Sequence, residues 1–146
     1  MNRKASILTW FWGTALAGFI LPAFVYQVLA RIIAGRQPWS FFASGENLFL
    51  FAGLHTVPFV VLAIFLIVNL NNGWKKSEAS YRLRHFGAAG SVLLLVTASA
   101  LMVLPNFIHP QSLGGLAVVV FLVLCVPVIA VGYGLGAMAA KLTSRT

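Results

Sequence analysis

From Asn47 to Leu70 the chain carries no Asp, Glu, Lys or Arg. About 20 mainly apolar residues in a helix cross the ~30 Å hydrocarbon core of a bilayer. Inside hydrocarbon a backbone segment must satisfy its own hydrogen bonds. A run of this length therefore predicts a membrane-spanning helix. Three further runs have the same character, and the spans are expected at about 7–30, 47–70, 86–104 and 113–140. Charged residues make up only 8% of the chain, against roughly 25% in a soluble domain. The expected fold is an all-α membrane protein, one domain over 1–146, in which four transmembrane helices form an antiparallel bundle of two helical hairpins.

The ten Lys and Arg residues far outnumber the two acids, Glu46 and Glu78. The bases fall in the gaps between apolar runs, which points to lipid headgroups rather than nucleic acid. With the N-terminus inside, Arg3, Lys4, Lys75, Lys76, Arg82, Arg84, Lys141 and Arg145 share one side of the membrane, and only Arg31 and Arg36 face the other. By the positive-inside rule both termini and the Asn71–His85 connection are cytoplasmic. A bacterial inner membrane fits the short loops. Lys75, Lys76, Arg82 and Arg84 are expected to touch acidic lipid headgroups. Arg3 and Lys4 resemble the start of a signal peptide, but the following apolar run is too long for one and reads as a retained span.

Local signals refine this outline. Trp10 and Trp12 suit the interfacial belt. Gly35 to Gly45, with Trp39, Phe41 and Phe42, reads as an interfacial segment, and Ser44 as the cap of the second span. Pro105 to Ser112 reads as a tight turn. Gly13 with Ala17, and Thr14 with Gly18, form small-residue pairs. Gly132 and Gly136 form a G-x-x-x-G pair, and with Cys125 and Ala140 they make a helix-packing stripe. Leu21–Val25 resembles Leu104–Ile108, and Val57–Val60 resembles Val126–Ile129. This is a faint internal repeat whose proline spacings differ.

His55 is the titratable residue deepest in an apolar run. It lies nine residues after Glu46, about 13 Å along a helix. Ionisable groups at that depth face protein or water. His55 can serve as a proton relay, a polar substrate contact or an axial haem ligand. Equally, it can be a neutral ring bonded to a neighbouring helix, with Ser91, Thr97 or Ser99 as partner. For haem, His85 and His109 lie at other depths, so Met102 or a second protomer would have to contribute. Gln27, Arg31, Glu46, Asn106 and His109 converge on the outer boundary, where Arg31 is expected to meet Glu46. With His55 they define a ligand or proton pathway. The sequence holds no nucleophile–base pair, no paired carboxylates at matched depth and only one cysteine, Cys125, which argues against an enzyme or a metal site.

These residues point first to a non-enzymatic subunit or auxiliary protein of a membrane complex, itself a homo-oligomer or part of a larger assembly. The alternatives are a small oligomeric transporter or channel around His55 and the Arg31/Glu46 pair, and a haem- or quinone-binding electron-transfer subunit. No cofactor is otherwise predicted. The topology is tested by single-cysteine labelling in intact cells. A thiol at Ser40 should react with an impermeant reagent from outside, and one at Ser77 should be protected until the membrane is opened.

Overall fold

The computed structural model describes residues 3–40, 48–73, 77–108 and 114–143. Among them all regular structure is helical: α1 (Arg3–Ile20), a π-helical turn (Leu21–Val25), α2 (Tyr26–Ile33), α3 (Leu48–Gly73), α4 (Glu78–Ile108) and α5 (Gly114–Thr143). Four stretches are long and apolar enough to cross a membrane: Ala5–Ile33, Leu54–Asn72, Glu78–Met102 and Val119–Thr143. The protein is therefore described as an integral, multi-pass membrane protein.

The helices overrun the expected spans at several ends. Much of the hydrophilic connection Asn71–His85 is helical, because α3 continues to Gly73 and α4 begins at Glu78. The Ser77 hydroxyl accepts from the Ser80 N–H at 3.4 Å, as an N-cap does, and the Glu78 carboxylate in the first turn suits the helix dipole. The tight turn expected over Pro105 to Ser112 does not start at Pro105, since α4 runs through it to Ile108, and His109 to Ser112 lie outside the described residues. A proline removes one backbone bond, but in hydrocarbon the remaining peptide groups still gain from staying helical. The first span ends where Gly35 adopts φ +66°. There Arg36 N–H bonds Arg31 C=O at 2.8 Å and Gly35 N–H bonds Ile32 C=O at 3.1 Å, a Schellman closure that favours glycine.

The most extensive contact is between α4 and α5, followed by α1 with α3. Phe86 meets Gly136, Gly87 meets Tyr133 and Gly90 meets Gly132, while the Ser91 hydroxyl donates to Ile129 C=O at 2.9 Å. The two helices run in opposite senses along this register. A Cβ on Gly132 would sit 2.7 Å from the Gly90 carbonyl oxygen, and one on Gly136 would meet the Phe86 carbonyl. Small residues let the backbones approach, and close dispersion contact then replaces lipid contact. On the other pair, a Cβ on Gly18 would collide with Phe59. Between the pairs lies a buried apolar core of Phe59, Leu62, Leu66, Ala88, Leu95, Phe121, Cys125 and Ile129. The π turn changes which neighbour the first span meets: α1 packs mainly on α3, and α2 packs on α4.

Gly136→Leu forces a branched side chain against the Phe86 backbone. Overpacking of this kind costs about 1–3 kcal/mol. Unfolding of the purified protein in mixed micelles should show that loss, whereas Gly134→Leu, where a Cβ meets nothing within 4 Å, should leave stability nearly unchanged.

Candidate functional site

Two polar levels lie in the membrane-spanning part of the chain, one on each side of the apolar core; they carry the labels outer and inner after the side on which the charge pattern of the sequence is expected to place them. The outer level is built around the π turn. Pro22 has no N–H, so the Gly18 carbonyl, its partner in an α-helix, loses its donor. The Thr56 hydroxyl from α3 donates to that carbonyl at 3.1 Å. Gly18 permits this because it has no Cβ to meet Phe59. The following turn widens, and Tyr26 N–H reaches back five residues to Leu21 C=O.

That turn orients the buried side of α2, formed by Tyr26, Gln27, Ala30 and Arg31. The Tyr26 hydroxyl donates to Val96 C=O on α4 at 3.3 Å and lies beside Ser99, which is fully buried. His55 is 2% exposed and precedes Thr56, so it lies level with the π turn. Of the partners expected for it, Ser91 donates to Ile129 C=O and Thr97 to Leu93 C=O of its own helix at 2.9 Å. Arg31 donates through Nη1 to the Ser40 hydroxyl at 3.0 Å, and that hydroxyl donates to Gln37 C=O at 2.8 Å. The structure thus brings Gln27, Arg31 and His55 into the buried part of the outer half. Asn106 lies in the last turn of α4. Glu46 and His109 lie outside the described residues, and so does the expected Arg31–Glu46 pair.

The inner level joins all four spans. Asn69 on α3 accepts at Oδ1 from Arg84 Nη1 on α4 at 3.2 Å and from the Tyr133 hydroxyl on α5 at 3.0 Å. Arg84 Nη1 also donates to the Asn69 backbone carbonyl. Arginine cannot accept a hydrogen bond, so the amide oxygen must be the atom that faces it. Trp10 Nε1 on α1 donates to His85 Nδ1 at 2.9 Å, and Tyr81 meets the His85 ring edge-on at 4.2 Å. Arg82 is exposed, lies over the Phe86 ring at 5.8 Å and reaches Thr143 at 3.4 Å. Arg84 therefore turns into the protein, while Arg82 stays at the surface. Lys75 and Lys76 lie outside the described residues.

Phe59, Leu62, Leu66 and Leu95, all fully buried, separate the two levels. Cys125 is buried, and its thiol bonds Leu122 C=O of its own helix at 3.0 Å. Among the described residues no three of His, Cys, Asp and Glu converge. Sequence reading passed over Thr56, Tyr26, Asn69 and Tyr133. The signal for Thr56 was its hydroxyl in an apolar run opposite a proline-bearing span. The signal for Asn69 was a carboxamide before the last apolar turn of its helix. No protein-family profile, curated protein sequence or solved structure matches the chain.

The Pro22–Gly18–Thr56 arrangement is open to a double-mutant cycle. Removing the hydroxyl with Thr56→Val should cost about 0.6 kcal/mol, the usual size for an interhelical bond in a membrane. In a Pro22→Ala background residue 22 regains its N–H, and the same Thr56→Val change should cost close to nothing. Reversible unfolding of the four proteins measures the difference.

Proposed function

We propose that this chain is a non-enzymatic, multi-pass subunit or auxiliary protein of a bacterial inner-membrane complex, a bundle of two antiparallel helical hairpins with both termini cytoplasmic. The observation that carries this reading is the apolar layer of Phe59, Leu62, Leu66 and Leu95. It closes the outer polar level off from the inner one within a single chain. The polar groups on either side tie helices together through Thr56, Tyr26, Asn69 and Trp10, and Ser91 does so within the core. What the protein presents outward in the membrane is apolar helix surface, such as Leu93 at 71% and Val123 at 69% exposure. That surface suits assembly with other membrane helices.

A second reading, a small oligomeric transporter, is favoured by the buried Gln27, Arg31 and His55 in the outer half. It requires another protomer to carry a path past the apolar layer. One experiment separates the two. Photo-crosslinking residues are placed in turn at Trp12, Ile64, Leu101 and Val131, and the protein is also reconstituted into liposomes. The subunit reading expects protein adducts from one contiguous face and no proton flux above that of empty liposomes. Flux that disappears in a folded His55→Leu variant overturns it in favour of transport, and adducts to lipid alone at every position overturn it outright.

A further inference from the structure

Between α3 and α5 runs an open groove of about 380 Å³, lined by Val61, Phe65, Asn69, Val126, Ile129, Ala130 and Tyr133. On α3 the lining residues recur every fourth position from Val61 to Asn69, a length of roughly 12 Å. Phe65 and Tyr133 meet edge to face at 5.6 Å and form part of its wall. The groove is apolar along its length and polar at the end nearer the C-termini of α3 and α5. No water fills an apolar recess at that depth, so hydrocarbon does.

The polar end has a defined chemistry. Asn69 Oδ1 already accepts from Arg84 and from Tyr133. The Asn69 amide N–H groups have no acceptor among the described residues. Arg84 beside it brings only donors and a positive charge. The groove end therefore calls for acceptor oxygens carrying negative charge. Arg82 on α4 and Lys141 in the last turn of α5 add positive charge at the same end of these helices, with Glu78 opposing them. An apolar trough that ends in donors and cations, at the depth where headgroups begin, matches one kind of molecule.

We infer that this groove binds an anionic phospholipid. One acyl chain lies along Val61, Phe65, Val126 and Ala130, and headgroup oxygens accept from the Asn69 amide and Arg84. The site rests on the four-span membrane reading and is independent of the partner the protein assembles with.

The test is native mass spectrometry of the detergent-purified protein, offered equal amounts of phosphatidylglycerol and phosphatidylcholine. A charge-assisted contact of this kind should give a preference of about tenfold for phosphatidylglycerol. Ala130→Trp fills the groove from an exposed position and should abolish retention of both lipids. Asn69→Asp keeps the acceptor for Arg84 and Tyr133 but removes the two N–H donors and adds a negative charge. It should erase the preference. Equal retention of the two lipids by the wild-type protein overturns the site, and so does unchanged retention in Ala130→Trp or an unchanged preference in Asn69→Asp. None of these results touches the membrane reading, which alkaline extraction of membranes checks separately.

Discussion

Hydrocarbon offers a peptide group no hydrogen bond, and Pro22 removes a donor from the first span. The rest of the outer half follows from how that loss is absorbed. The Gly18 carbonyl is left without its N–H, and Thr56 on the neighbouring helix supplies a hydroxyl. Only a residue without a Cβ at position 18 lets α3 come close enough, since Phe59 occupies the space a side chain would need. The turn after the proline widens to a five-residue bond from Tyr26 to Leu21. One missing proton thus accounts for a glycine, a threonine and a π turn, and π turns of this sort recur at functional sites in helices.

The second pair of helices meets the same solvent in another way. Between α4 and α5 the chain gives up side chains instead of hydrogen bonds. Gly90, Gly132 and Gly136 bring backbone against backbone, and Ser91 adds one buried bond to Ile129. Lipid tails are as apolar as leucine, so burial alone does not drive helices together in a membrane. Close packing and a few satisfied polar groups supply what burial supplies in water. That explains why the most extensive contact of the fold lies on its glycines and not on its largest residues.

The number and rough position of the spans were legible because hydrocarbon thickness sets a length, and charge-free runs such as Asn47–Leu70 show it directly. The helix ends were less so. Glu78 to His85 is hydrophilic, yet it folds as helix, because the end turns of a membrane-spanning helix stand among headgroups where polar side chains are at ease. Pro105 signals a lost bond, but a proline alone does not say whether the chain turns or continues. The contribution of Asn69 was hidden for a different reason. A carboxamide joining an arginine from α4 and a tyrosine from α5 depends on the register of three helices, and no local pattern encodes that. His55 was legible as a buried residue from its surroundings; its hydrogen-bonding neighbours depend on the same register.

The two polar levels constrain the molecule differently. At the inner end Asn69, Arg84 and Tyr133 bind three helices through one amide oxygen, and Trp10 brings in the fourth through His85. Each bond draws on a side chain from a different span, so no helix can slide without breaking one. At the outer end the ties are made one pair at a time: Thr56 to Gly18 between α3 and α1, and Tyr26 to Val96 between α2 and α4. The π turn stands between those two ties. It lets the first span leave α3 and reach α4, and so links the two helix pairs on the side where glycine packing does not. The apolar layer then has a structural reason as well as a sealing effect. Phe59, Leu62, Leu66 and Leu95 occupy the level between the two sets of polar ties, and the buried serine beside them, Ser91, is satisfied by the Ile129 carbonyl.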